Sequence, residues 1–389
     1  MITVDLNTKI VLPHNRVWRM FPGYGYKFLS SYFSQNSAFL DIPGFDMPEG
    51  SLEEDDEFLK RIAASENIIH QKRSLGADVD VDMDWTQLKP AYNTQGRGIL
   101  KRSMINFYEE ARLGDIIVVP SPVDLGEIYV GTLTDRRYSG RISNFPREYG
   151  EVPMPARRVS WLQTIKENKV SPALSSSLRH QNPFNLLEKS LYNEVFAIAY
   201  SSYVYGEERG SIIYNTLSDY IDKDAAFLGL ISQVSAAICH MVDEGSNERK
   251  LSLINTILDQ QPMEYYCSQS VDIHSPGLNR FLSSKNTPIM IISLIGLLAF
   301  LGNNSSEKNL KRDIQNVTVT NTISGPEDGC SVPVDKGTKM FLDTTPIDEI
   351  WRLCKLAREA RERAGVQSGV TVTAPNKPSL EPPKKVRPR

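Results

Sequence analysis

Residues 113–162 decide the fold. They read LGDIIVVPSP, then GEIYVGTL over 126–133, then PARRVSWL over 155–162. Gly114-Asp115 is a turn pair feeding the β-branched run Ile116, Ile117, Val118, Val119, which Pro120 and Pro122 stop. A second run, Ile128-Tyr129-Val130, lies between Gly126 and Gly131. A third, residues 159–162, follows two prolines and the basic pair Arg157-Arg158. Three short β-type runs fenced by Gly and Pro predict a small twisted barrel rather than a helix bundle or a wound sheet. Barrels of this kind hold ligands at an open end, and the segment between these strands is basic and aromatic.

Working outward, Val17-Trp18-Arg19-Met20 forms an early Trp-bearing strand, and the apolar run Ala38-Phe39-Leu40-Asp41-Ile42-Pro43-Gly44 follows it. A helical stretch at 98–112 leads into Gly114-Asp115. Then come Tyr129-Val130-Gly131-Thr132-Leu133, Tyr138 and Arg158-Val159-Ser160-Trp161. This succession resembles the N-terminal module of Mrr-type and related restriction proteins, within the PUA/EVE-like superfamily. The resemblance covers about the first 165 residues and departs from the pattern in an acidic insert at 49–95. It implies a nucleic-acid or nucleotide sensor in a bacterial restriction or anti-phage system. It also implies an aromatic pocket that takes a base flipped out of its stack, with Trp18 and Trp161 as the rings and Tyr129 as a polar neighbour. A planar ring stacks on any base, and polar groups supply selectivity. The alternative for each Trp is core packing.

The expected fold class is α+β: a PUA/EVE-like small β-barrel with flanking helices over 1–168, then a linker at 169–183. A mainly α-helical domain over 184–366 follows, where apolar residues recur at three- and four-residue spacing through 186–205, 212–230, 231–242 and 251–257. A Pro/Ser/Thr-rich tail with a basic end, 367–389, is expected to be disordered. Residues 317–323 alternate as a strand. DTTPIDEIWRL at 343–353 reads as helix-start chemistry.

The 389 residues suffice for two or three domains. A net charge of −3 gives no global attraction to nucleic acid, so such binding requires a local patch. That patch is Arg136, Arg137, Tyr138, Arg141, Arg147, Arg157 and Arg158, with Phe145 and Tyr149 interleaved. Guanidinium forks suit phosphates and rings suit bases. A solvated barrel face is the plainer alternative.

No phosphate-binding glycine loop, nucleophile elbow or zinc-protease motif is present, so no catalytic residue is assigned. Cys239, Cys267, Cys330 and Cys354 are scattered, read as reduced thiols, and give no zinc spacing. No cofactor or metal is expected. Carboxylates alternating over 76–84 read as a solvated loop, and His240 as a packed histidine. The start lacks the pattern of a signal peptide, and the expected location is cytoplasmic.

The apolar run IMIISLIGLLAFL, 289–301, makes a helix of about 20 Å, short of the roughly 30 Å hydrocarbon core. It is expected to be buried, which makes a membrane partner unlikely on sequence grounds. The partners expected are nucleic acid or a nucleotide, and a protein or second copy of the chain through the helical domain. Two rivals stand beside this reading: a diverged metal-dependent nuclease with its site in 184–350, and an assembly or membrane-acting effector using 289–301.

Overall fold

The computed structural model describes residues 1–72, 84–92, 94–122, 126–136, 142–145, 149–179, 182–245, 261–272, 277–303, 306–324, 328–375 and 377–383. The acidic alternation over 76–83 and the periodic run at 251–257 lie outside them. The fold is mixed α and β and includes a sheet curled into a half-barrel. Two compact units divide the chain: one is Met1–Pro13 with Tyr200–Lys384, the other His14–Ala199.

The first two strands, β1 (Ile2–Asp5) and β2 (Lys9–Val11), therefore belong with the C-terminal half and not with the unit of residues 14–199. In the unit of residues 14–199 the order begins with β3 (Val17–Met20), α1 (Leu29–Ser34), β4 (Ser37–Ala38), α2 (Phe58–His70) and α3 (Gln95–Met104). A π-helical turn, Ile105–Glu110, continues α3. Next come β5 (Ile116–Pro120), β6 (Glu127–Leu133), β7 (Ile142–Phe145), β8 (Gly150–Pro155), β9 (Arg157–Lys166), α4 (Pro172–Leu178), β10 (Phe184–Leu186) and α5 (Tyr192–Ala199).

The six-stranded sheet runs β10-β3-β5-β6-β9-β4, and β7 pairs β8 separately. The runs at 116–119, 128–130 and 159–162 thus lie in its adjacent strands β5, β6 and β9, paired antiparallel. A register shift between Val130 and Gly131 bends the β6–β9 pair. Gly131 is required there, because a Cβ on it would fall 2.6 Å from Val159 and 2.9 Å from the Trp161 ring. Trp18, Phe28, Tyr32, Phe39, Phe107, Tyr108 and Tyr149 are buried and fill the unit's interior. Each large apolar side chain so buried contributes about 1.5–3 kcal/mol.

The expected boundaries shift in three places. The 169–183 stretch is not a free linker: α4 is capped by Ser171, whose N–H and hydroxyl both donate to Glu194, at 2.6 Å each. Residues 184–199 belong to the unit that begins at residue 14, where β10 pairs β3. The remainder carries two sheets beside its helices, which the expected helical domain did not include. It contains β11 (Ser202–Tyr205), β12 (Glu208–Asn215), α6 (Asp222–Glu244), β13 (Ser268–Asp272), β14 (Gly277–Ser283), α7 (Thr287–Leu301), α8 (Glu307–Ile314), β15 (Val317–Thr320), α9 (Ser331–Thr344) and α10 (Ile347–Ala364). It ends with β16 (Val366–Ser368), β17 (Thr371–Ala374) and β18 (Lys377–Leu380).

The β11–β12 hairpin turns at Gly206, which has φ 59°, within a stretch whose three-residue apolar spacing resembles a helix. The supposed disordered tail supplies three strands. Val366, Val370 and Val372 are buried, and β17 lies between β1 and β18. Residues 384–389 lie outside the described residues.

One sheet of this unit runs β13-β14-β12-β11-β2, with β16 also on β12. The other runs β15-β1-β17-β18. Helix α7 is buried at every position from Thr287 to Leu301 and packs against α6, α9 and α10. It is a core helix, as its composition and short length require. Only α6 is long and apolar enough by length and composition to cross a membrane among the described residues, and 56% of its apolar window is buried.

Candidate nucleic-acid interface

The proposed base pocket is not assembled. Trp18 is 2% exposed, its ring stacks on Phe184 at 4.9 Å, and its indole N–H donates to Asp115 Oδ2 at 2.7 Å. Asp115, fully buried, also accepts from the backbone N–H groups of Arg16 and Arg112. Trp161 is 8% exposed, donates its indole N–H to the Tyr32 carbonyl at 3.1 Å, and meets the Phe33 ring edge-on at 4.8 Å. Both indole donors are spent inside the fold, so both tryptophans are core residues. Tyr129 is half-buried against Phe33, and its hydroxyl donates to Glu127 at 2.8 Å. Burial first, then the Glu127 carboxylate, pushes the Tyr129 phenol up to about 12.

Arg137, Tyr138, Arg141 and Arg147 lie outside the described residues. Of the other arginines in the basic interval, Arg157 departs from its expected role. Its side chain is fully buried, and Nε pairs with Asp135 Oδ1 at 3.1 Å. Nη1 donates to the carbonyls of Phe107 and Ala111 at 2.7 Å each, and Nη2 to the Asp135 carbonyl at 3.0 Å. With every nitrogen occupied inside the fold, Arg157 is a structural tie and cannot meet a phosphate. Tyr149 is also interior, 2% exposed, with its hydroxyl on Asp41 at 2.6 Å and the Lys27 ammonium over its ring.

That tie has a consequence for its neighbours. The Arg157 guanidinium pins three chain segments together, at Ala111, at Asp135 and at its own position. The next residue in each segment is an arginine: Arg112, Arg136 and Arg158. All three are exposed. Asp135, the acid that sequence proximity would assign to Arg136, turns inward to Arg157 and accepts the Arg158 backbone N–H at 2.8 Å. Among the described residues none of the three exposed guanidinium groups has an ion-pair partner. Arg112 was not a sequence candidate. Its signal was its place beside Gly114-Asp115, just before β5.

Among the described residues the site therefore offers three guanidinium groups without an ion-pair partner, each next to backbone that Arg157 ties together. Arginines in this arrangement contact phosphate oxygens without base selectivity. Among the described residues no three His, Cys, Asp or Glu side chains group so as to hold a metal ion. His240 is half-buried, hydrogen-bonded to Gln261 at 2.9 Å and 3.1 Å from Glu244. All four cysteines are free thiols. Family models, curated proteins and solved structures yield no match to the chain.

Proposed function

We propose that the unit of residues 14–199 binds nucleic acid through a basic surface centred on Arg112, Arg136 and Arg158. The chain would then be a nucleic-acid-sensing component, acting with a partner or as an oligomer. The resemblance of its first 165 residues to restriction-protein modules suggests a role in bacterial restriction or anti-phage defence. The observation that supports this reading is the buried Arg157–Asp135 pair, which removes the local acid and leaves three arginines pointing outward from pinned backbone. Trp18 and Trp161 supply no base selectivity, because both are consumed by the core.

The test is a binding titration of a short DNA duplex at several salt concentrations. The Arg112→Ala/Arg136→Ala/Arg158→Ala variant should bind more weakly and keep its melting temperature. Each phosphate that the variant no longer neutralises should reduce the log–log salt slope by about 0.9. A folded triple variant with unchanged affinity and slope would remove this surface from consideration.

A further inference from the structure

The unit of residues 200–384 holds a cavity of about 460 Å³ between the β11–β12 hairpin, the end of α6 and the start of α7. Glu207, Arg209, Cys239, Asp243, Lys285 and Asn286 line it, with Val242 and Pro333 as apolar walls. The volume falls within the range of small-molecule sites.

Its charges are not balanced in pairs. Lys285 is held by Asp243 at 3.2 Å and Glu264 at 3.4 Å, and Asp243 also accepts from the Tyr265 hydroxyl at 2.9 Å. Those groups satisfy one another. Arg209 is different: its Nε donates to Asn286 Oδ1 at 3.1 Å, and its Nη1 donates to the carbonyls of Ser284, at 2.9 Å, and Glu207. All these partners are neutral, so the guanidinium is oriented but its charge is uncompensated among the described residues. Glu207 contributes its backbone carbonyl to Arg209, and its exposed side chain makes no ion pair among the described residues.

Since the Asn286 side-chain oxygen accepts from Arg209 Nε, its amide nitrogen remains as a donor. Asn286 also precedes α7, a helix with no acidic residue in its first turn and no side-chain cap. A fixed guanidinium and a side-chain amide, hydrogen-bonded to each other, thus line the cavity. Guanidinium forks suit phosphate oxygens. Val242 and Pro333 leave room for an uncharged body.

We propose that this cavity binds a small phosphate monoester, with Arg209 as the anchor of the phosphoryl group. The experiment uses the full chain and calorimetric titration with adenosine monophosphate, inorganic phosphate and acetate. The nucleotide should bind saturably, inorganic phosphate more weakly, and acetate not at all. Arg209→Ala should lose affinity at least tenfold, and Glu207→Gln, which removes an exposed negative charge from the lining, should tighten binding several-fold. The Glu207 variant keeps the proposal falsifiable if Arg209→Ala fails to fold, because the Glu207 carboxylate is exposed and ties no described residue in place. Absence of saturable phosphate or nucleotide binding at millimolar concentration would overturn the proposal. Acetate binding as tightly as phosphate, or Glu207→Gln leaving the affinity unchanged, would overturn it equally.

Discussion

Replacing Arg157 by alanine would strand the Asp135 carboxylate, only 8% exposed on its side chain, with no cation beside it. The carbonyls of Phe107 and Ala111 would lose their donors in the same step. Breaking a buried ion pair from one side costs about 3–5 kcal/mol. Arg158→Ala removes an exposed side chain whose anchoring bond is made by the backbone, so it should cost within about 0.5 kcal/mol. Chemical denaturation of the two variants checks this: Arg157→Ala should be strongly destabilised and Arg158→Ala close to the parent. Equal stability of both would mean that Arg157 is not a structural tie. The two arginines are indistinguishable in the sequence. What separates them is strand alternation, which turns Arg157 inward and Arg158 outward on β9, together with an acid 22 residues away. Arg136 and Arg158 were legible as exposed cations because exposure is the default for arginine. The burial of Trp18 was not, since its deciding partner, Asp115, lies 97 residues on.

Among elements, strands β5, β6 and β9 and helices α7 and α10 were legible, and each carries a strong local signature. The strands are β-branched runs with Gly and Pro at their ends. Helix α7 is apolar all round, so its burial follows from composition. Helix α10 has Asp348 and Glu349 in its first turn and ends at Gly365 with φ 65°. The β11–β12 hairpin and the C-terminal strands were not legible, because Ser, Thr and Pro around Val370 and Val372 mask a period-two pattern that becomes decisive only beside β1. How closely α7 meets its neighbours is also a tertiary fact. A Cβ on Gly302 would lie 2.5 Å from the Cys354 backbone carbonyl of α10, which cannot move without shifting the helix. A Cβ on Gly337 would meet the flexible end of Met290 at 2.2 Å, with the Ile238 side chain next at 2.9 Å. Gly302→Ala should therefore cost about 1–3 kcal/mol, the ordinary penalty of overpacking, and Gly337→Ala less. Paired thermal melts test the ranking, and the reverse order would contradict the α7–α10 packing.

At the scale of the whole chain, one unit is continuous in sequence and the other is not. Residues 14–199 run without interruption and enclose their own aromatic core. The other unit needs both ends of the chain. Its β1 lies between β15 and β17, and its β2 pairs with β11. Ile2, Val4 and Leu6 are buried in its core, and Asn321 bonds both the N–H and the carbonyl of Thr8 at 3.0 Å. A fragment beginning at residue 184, where composition alone places the boundary, would lose an interior strand from one sheet and an edge strand from the other. It would expose the backbone of β15 and β17 and leave Val317, Val319 and Val372 uncovered. It would also carry β10 and α5 away from the unit of residues 14–199. A fragment of residues 14–199 removes nothing from its own core and should unfold cooperatively by itself. The fragment 184–389 should be insoluble or lack a cooperative transition, and joining residues 1–13 to residues 200–389 through a glycine-serine linker of about a dozen residues, the length a parallel β2–β11 connection needs, should restore one. Circular dichroism melts of the three proteins decide the matter. A cooperative transition in 184–389, with none in 14–199, would mean that the N-terminal strands are dispensable and that the boundary lies where the composition changes.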